Sequence, residues 1–242
     1  MGLFSANKKH SVPVMPLYID IHSHALPGID DGSPDIQESL EMIRAFQAQG
    51  FKKIITTPHV HSQRYMNTTQ DILNAADKLF EAMDKENISF PVEIAAEYYA
   101  DKHLLDLLEQ DDILYFGEKY VLCEFSFFMP PVGSEKIALE LINAGYQPVL
   151  AHPERYEYWA GNASVYERLR NQQFLFQPNM PAALGLYGPA PKLTFDMLAE
   201  KGWIEFLGSD AHNAETVDLL GDLIRSKPIQ HIIQAGILNH NL

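Results

Sequence analysis

The chain has 242 residues, of which 46% are hydrophobic and 21% are charged, a globular composition with room for one large core or two small ones. It carries 18 basic and 32 acidic residues, a formal net charge of −14, and no Lys/Arg-rich run, which argues against nucleic-acid binding. One cysteine excludes a disulfide framework, and the lack of a ~20-residue apolar stretch or a secretory signal predicts a cytoplasmic protein without membrane insertion.

Strand-like and helix-like segments alternate from residue 18 almost to the end. A strand at residues 18–21 precedes a helix with Ser33 as N-cap, Pro34 at the first position and an acid in the first turn, ending near Gly50. A strand at residues 53–57 precedes a helix over residues 71–87. The later elements are strands at residues 92–96, 121–125, 148–151, 174–177 and 204–207, helices beginning near Lys102, Ser134, Val165 and Thr194, and a helical region at residues 217–236.

This alternation predicts a parallel sheet. About seven units in a chain close to the ~250 residues of a (β/α) barrel favour closure of that sheet into a barrel. An open, doubly wound sheet would show the same alternation, so periodicity alone leaves both architectures open. We predict one domain over residues 18–242, preceded by a flexible N-terminal arm at residues 1–17.

Residue types that bind metals follow nearly every predicted strand. His22 and His24 are two apart, so both imidazoles lie on one face of an extended strand. The other candidates at strand ends, or in the loop after the first strand, are Asp31, His59, Glu97, Glu124, His152, Asp210 and His212. In a barrel the carboxyl ends of all strands converge on one mouth, so these side chains would meet there.

A cluster of this kind is expected to need cations. Four crowded carboxylates would otherwise repel, and their pKa values would rise until some were neutral. Two or three divalent ions remove that difficulty, and the absence of sulfur ligands fits Mn, Zn or Fe. The alternative for any single residue is a strand-end side chain held by local hydrogen bonds.

The alternation of side chains along the strands also predicts which residues face the mouth. Leu122 should share a face with Glu124, and Leu150 with His152, whereas Cys123 should face the helices as inert core. For the aromatic residues near these positions, Tyr98, Phe127 and Phe128, core packing is the favoured role and the lining of a ring-binding cleft is the alternative.

Six stretches carry a family resemblance in the same order along the chain: DIHSHALPGIDDG (20–32), TTPH (56–59), AAEYY (95–99), LCEFS (122–126), PVLAHPERY (148–156) and GSDAHN (208–213). They resemble the polymerase and histidinol phosphatase (PHP) superfamily, and more closely its bacterial metal-dependent protein tyrosine phosphatases of capsular and exopolysaccharide biosynthesis. The resemblance implies a distorted TIM-like (β/α)7 barrel of PHP type and a three-metal site. It implies a first ion on His22, His24, Glu97 and Asp210, a second on Glu97, Glu124 and His152, and a third on Asp31, His59 and His212.

Phosphate binding is expected at arginine. Arg155 matches an arginine that the family uses on the phosphate, and a guanidinium fork suits that geometry. The alternative for Arg155 is a surface salt bridge with a neighbour such as Glu157. The family's second arginine, shortly after the last Asp-x-His, is missing here. Either Arg64, in the loop after His59, substitutes for it, or phosphate binding is weaker.

The resemblance implies a phosphatase that hydrolyses phosphotyrosine in proteins with a metal-activated water, acting on the tyrosine-rich tail of a bacterial kinase that regulates polysaccharide export. The sequence argues against a thiol mechanism at Cys123, because a cysteine phosphatase has arginine six residues after its nucleophile and here that residue is Met129. Two alternatives stay open: a PHP phosphoesterase for a small ester such as histidinol phosphate, and a non-catalytic metal-binding regulatory protein.

Overall fold

The computed structural model describes residues 14–242. Within this range the strands are β1 (Ile19–Ser23), β2 (Lys53–Thr56), β3 (His59–Val60), β4 (Val92–Ile94), β5 (Glu97–Tyr99), β6 (Tyr120–Glu124), β7 (Gln147–Ala151) and β8 (Leu175–Gln177). The α-helices are α1 (Ile36–Ala48), α2 (Thr69–Lys85), α3 (Lys102–Glu109), α4 (Ser134–Asn143), α5 (Ala163–Asn171), α6 (Pro189–Lys201), α7 (Ala214–Asp218), α8 (Leu220–Arg225) and α9 (Lys227–Ala235). The predicted alternation of strands and helices is therefore confirmed.

The strands form two parallel sheets, with the orders β1-β2-β4 and β3-β5-β6-β7-β8. β3 follows β2 almost directly, as β5 follows β4, so two interrupted strands connect the sheets. The segment of residues 204–211 lies between β8 and β1: Phe206 N donates to Phe176 O at 3.1 Å, and His24 N donates to Ala211 O at 2.9 Å. These two sheets and the 204–211 segment, which we call the ring, form the distorted TIM-like arrangement that the family resemblance implies.

Two predicted details of this ring are wrong. The segment predicted as a strand at residues 204–207 is irregular: Glu205 N and Phe206 N both donate to Phe176 O, and isolated bridges follow only at Gly208 and Ala211. Leu150 packs in the outer core, whereas its neighbour Ala151 packs in the inner one, so Leu150 and His152 do not share a face. His152 has a φ of 34°, a left-handed conformation that interrupts the alternation directly after β7.

Two apolar cores hold the ring together. The inner core combines residues of β1, β2, β6 and β7 with residues of the segments between strands: Ile21, Ile55, Ala95, Phe116, Leu122, Val149, Ala151 and Phe206. The outer core packs strand residues such as Val121 and Cys123 against the helices. Cys123 is fully buried there, as predicted, and burial raises the pKa of its thiol. The inner core fixes the strands, and the side chains beyond it form the mouth described below.

The helix boundaries differ most from the predictions at three places. α1 is capped by Asp35, whose side chain accepts from the backbone N–H groups of residues 37 and 38, whereas Ser33 hydrogen-bonds to Ser39 and to Asp35 O. α6 begins at Pro189, earlier than Thr194, because proline is well suited to the first turn of a helix. The predicted region at residues 217–236 is three short helices, α7 to α9.

Most of the predicted N-terminal arm, residues 1–13, lies outside the described residues. Within the remainder, Leu17 is buried in the outer core and Met15 N donates to Gln230 Oε1 at 2.7 Å. Among the helices of residues 14–242, none has the length and apolar character that crossing a bilayer requires.

Candidate metal centre

The structure brings all nine predicted ligand residues to one end of the ring. His22 lies in β1, His59 begins β3, Glu97 begins β5 and Glu124 ends β6. The others lie in connections that leave the same end: His24, Asp31, His152, Asp210 and His212. The chain therefore gathers its imidazoles and carboxylates from residues almost 200 positions apart, as the barrel interpretation predicts.

These side chains form four overlapping groups in which the potential ligand atoms lie within 4.8 Å of one another. The groups are His24, Asp31, His59 and His212; His22, Glu97 and His152; His22, His24 and Asp210; and His59, Glu97 and Glu124. The partition differs from the three predicted sets, since His24 also joins the group of Asp31, and His59 also joins Glu97 and Glu124. The nine residues thus make one continuous cluster with several positions for a cation.

Glu97 lies at the centre of this cluster and is fully buried. Its Oε2 is 3.2 Å from His22 Nε2, 3.5 Å from His24 Nε2 and 3.1 Å from His59 Nδ1. Glu97 Oε2 and His59 Nδ1 nevertheless have no hydrogen-bond partner among the described residues. Buried nitrogen and oxygen atoms that lie close together without a hydrogen bond are satisfied when they coordinate the same cation. The residues therefore fit a metal.

The electrostatics of the cluster also favour positive charge. Burial by itself raises the pKa of Glu97, but the neighbouring His22 and His59 outweigh it and hold that pKa well below its usual range. Burial lowers the pKa of His22, yet Glu97 and Asp210 bring it to about 9. The carboxylates therefore stabilise cations within the cluster, whether these are protons on the imidazoles or divalent ions.

Polar residues outside the predicted ligand set orient the candidate ligands. Asp30 Oδ2 accepts from His24 Nδ1 at 2.8 Å, and Gln177 Oε1 accepts from His22 Nδ1 at 2.7 Å. Asn179 Nδ2 donates to Asp210 Oδ2 at 2.8 Å. Such partners fix the ring tautomer and raise ligand basicity. Their positions at strand ends, and that of Asp30 beside Asp31, were the available sequence signals.

Arg155 is held at the edge of the cluster. Its Nη1 donates to Asp210 Oδ2 at 2.9 Å, so its salt bridge is with Asp210 and not with Glu157. The guanidinium lies 4.5 Å from the ring centre of Phe127 and 5.3 Å from that of Tyr187. With about a third of the side chain exposed, its remaining N–H groups are available to an anion beside the cluster.

The cluster opens into a cavity with two lobes that share Asp31, His59, Glu124 and Phe127. The first lobe, about 300 Å³, also contains Arg64 and Phe128. The second lobe, about 380 Å³, contains Arg155, Leu186, Tyr187 and Leu219. The structure thus places the two predicted arginines in different lobes, one on either side of the shared residues.

The aromatic residues divide between core and cavity. Core packing is confirmed for Tyr98, whose hydroxyl accepts from Leu114 N at 2.7 Å. Core packing is wrong for Phe127 and Phe128, because both line the cavity and Phe128 is 84% exposed. Both residues therefore line a cleft, and the binding of a substrate ring there stays a prediction.

Known proteins match this chain over most of its length. A family model described as capsular polysaccharide synthesis, CpsB/CapC, matches residues 18–218. Tyrosine-protein phosphatase YwqE of Bacillus subtilis is 36% identical over 204 residues, which are 82% of this chain and 78% of the relative. Tyrosine-protein phosphatase CpsB of Streptococcus pneumoniae is 24% identical over 204 residues, 82% of this chain and 84% of the relative.

Solved structures agree with these matches. A structure from the pair YwqE of Bacillus subtilis and CpsB of Streptococcus pneumoniae, described as metal-dependent tyrosine phosphatases, superimposes with a TM-score of 0.77 and 32% identity, covering 90% of this chain and 87% of the other. Histidinol phosphate phosphatase of Lactococcus lactis has a TM-score of 0.56 at 14% identity over 91% of this chain and 94% of the other, which shows a shared fold. The chain belongs to the CpsB/CapC family of capsular polysaccharide synthesis.

Proposed function

We propose that the chain is a metal-dependent phosphatase that hydrolyses phosphotyrosine in proteins. The observation that carries the proposal is the cluster of nine imidazole and carboxylate side chains, six of them buried, next to a restrained arginine. Its relatives are named tyrosine-protein phosphatases, which supports phosphotyrosine as the substrate. Cys123 takes no part in this reaction, because its thiol is buried and its pKa is raised by burial.

The side chains proposed to hold the ions are His22, His24, Asp31, His59, Glu97, Glu124, His152, Asp210 and His212. They provide nitrogen and oxygen donors for two or three ions of Mn, Zn or Fe. When bound, such ions lower the pKa of a water toward ~7 and neutralise charge on the phosphoryl oxygens. The orienting contacts of Asp30 and Gln177 keep His24 and His22 pointing into the cluster.

Arg155 is proposed to bind the phosphate. Because Asp210 and the rings of Phe127 and Tyr187 restrain the guanidinium, little side-chain entropy remains to be lost when it binds a phosphoryl oxygen. Arg64 lines the other lobe, where it can take the role of the missing second arginine. The leaving phenolate of tyrosine has a pKa of ~10, so it needs less protonation than an alkoxide.

We propose residues 18–242 as the phosphatase domain and the cytoplasm as its location. The proposed physiological substrate is a tyrosine-rich tail of a bacterial kinase that controls capsular or exopolysaccharide synthesis, in keeping with the family description. Dephosphorylation of such a kinase from the same cell tests this point. A kinase that keeps its phosphotyrosine in the presence of active enzyme would contradict it.

The test of the reaction is hydrolysis of a phosphotyrosyl peptide beside histidinol phosphate, before chelation, after chelation and after addition of Mn or Zn. We expect peptide turnover that disappears with the chelator and returns with metal. Turnover of histidinol phosphate alone would favour the small-ester phosphoesterase, whose fold this chain shares. A metal-loaded protein inactive on all phosphoesters would indicate a binding protein.

A further inference from the structure

An exposed apolar loop borders the cavity. Residues 127–132, which we call the 127–132 loop, have the sequence Phe-Phe-Met-Pro-Pro-Val. Phe128 is 84% exposed, Met129 64% and Val132 98%. Runs of consecutive exposed apolar residues are unfavourable on the surface of a soluble protein unless they bind something. The loop is therefore a candidate interaction surface.

The loop is continuous with the cavity that holds the candidate metal cluster. It follows β6, whose last residue is Glu124, and Phe127 and Phe128 line the same lobe as Glu124 and His59. A polypeptide whose phosphorylated side chain enters this cavity must leave it across the rim. Met129 and Val132 lie next in the chain, outside the lining of both lobes. Both side chains are exposed, beyond the edge of the lobe that Phe127 and Phe128 line.

The composition of the loop favours a peptide over a lipid surface. The loop contains no lysine or arginine, and the whole chain carries a net charge of −14, whereas binding to anionic membranes relies on basic residues. Two successive prolines, Pro130 and Pro131, restrict the backbone, so less conformational entropy is lost when a partner docks. A rigid apolar surface without positive charge fits apolar side chains of an extended polypeptide.

We propose that the 127–132 loop docks the apolar side chains that flank phosphotyrosine in the substrate protein, and so selects polypeptides over small phosphate esters. This inference rests on the proposed function and deepens it. Met129 and Val132 supply peptide affinity, whereas the phosphoryl group is bound by the cluster and Arg155. The loop should therefore affect the KM for peptides and leave hydrolysis of small aryl phosphates unchanged.

The test uses the double variant Met129→Ser with Val132→Ser in the full chain. Its substrates are a phosphotyrosyl peptide with apolar flanking residues, the same peptide with serine at the flanking positions, and p-nitrophenyl phosphate. The matched control is Leu139→Ser, a residue of α4 that is 56% exposed and outside both lobes. Thermal unfolding of each variant verifies that it is folded.

We expect the double variant to raise the KM for the apolar peptide about tenfold, with kcat unchanged, because two apolar contacts are lost. Kinetics on p-nitrophenyl phosphate should stay as in the wild type, and the serine-flanked peptide should be insensitive to the loop substitutions. Leu139→Ser should change none of these values. An unchanged KM for the apolar peptide, or equal losses on both kinds of substrate, would overturn the proposal.

Two further measurements separate this proposal from its alternatives. The proposal is wrong if peptide kinetics stay unchanged while the double variant loses another property of the wild type. Loss of binding to phosphatidylglycerol vesicles would show that the loop binds membrane. Conversion of a wild-type dimer to a monomer would show that it binds a second copy of the chain. Calorimetry with a peptide that carries a non-hydrolysable phosphonate analogue measures docking without turnover. If the wild type hydrolyses no phosphotyrosyl peptide, the proposed phosphatase function is refuted. Docking of the phosphonate peptide to the loop can still be measured by calorimetry.

Discussion

Asp30 is predicted to control the metal affinity of the cluster without being a ligand. Its carboxylate accepts three hydrogen bonds: from His24 Nδ1 at 2.8 Å, from His59 N at 3.0 Å and from Gly32 N at 2.9 Å. Asparagine at this position has a single acceptor oxygen, so Asp30→Asn places an N–H group against at least one donor. His24 Nδ1 and His59 N share Oδ2 and Gly32 N uses Oδ1, so asparagine cannot accept from all three, and we expect the imidazole of His24 to be held less firmly.

The structure gives the size of this effect. Burial raises the pKa of Asp30, but the adjacent His24 and the hydrogen bonds outweigh it and bring the pKa from 3.8 to about 2. A shift of roughly two units corresponds to about 2.5 kcal/mol. We therefore expect Asp30→Asn to lower the free energy of unfolding of the metal-free protein by about 2 kcal/mol at pH 7, and to weaken metal binding by about 10- to 100-fold. Because the native pKa is depressed, the stabilisation is complete above pH 4 and is lost as the pH falls toward 2.

The assay is calorimetric titration of the chelator-treated protein with Mn²⁺, together with urea unfolding at pH 7. The matched control is Asp35→Asn, because Asp35 caps α1 and asparagine is an equally good N-cap. We expect the control to match the wild type in both measurements. Mn²⁺ affinity of Asp30→Asn within threefold of the wild type would refute the role that we assign to this carboxylate.

Three further predictions concern the cluster and its surroundings. Arg155→Lys should lower kcat/KM for a phosphotyrosyl peptide by about 100-fold, because lysine keeps the charge but cannot bind bidentately. The control Arg168→Lys, on the outer helix α5, should have no effect. Equal activity of the two variants would contradict this prediction. In chelator, the free energy of unfolding should fall as the pH rises from 7 to 9.5. The pKa values of His212 and His22 are raised to about 8 and about 9, so the protonation that stabilises the fold is lost through that range. A rise in the urea midpoint over this range would count against the prediction. Iodoacetamide at pH 8 should neither modify nor inactivate the native protein, because the thiol of Cys123 is buried and its pKa is raised; rapid loss of activity with labelling of Cys123 would be incompatible with this.

The alternation of elements was predictable from sequence because each strand and helix leaves a local pattern. His22 and His24 illustrate this for the site, since their spacing follows directly from strand geometry. The irregular conformation of residues 204–207 was not predictable, because the apolar pattern of these residues is that of a strand. What replaces a strand here is set by the partners that the segment meets on both sides, Phe176 in β8 and Ser23 in β1.

The candidate ligands were predictable as a set, but their detailed arrangement was not. The alternation rule failed at His152 because this residue is itself left-handed, so its side chain no longer follows the two-residue period of β7. The orienting roles of Gln177 and Asn179 depend on contacts with residues more than 30 positions away, His22 and Asp210. No local spacing carries that information.

The most direct test of the account is anomalous diffraction from crystals of this protein grown with Mn²⁺. We predict two or three anomalous peaks within the cluster, each in contact with at least three of the nine imidazole and carboxylate side chains, and at least one in contact with Glu97. An anomalous map without peaks among these residues, obtained from an active preparation, would contradict the central claim that the cluster is a metal centre.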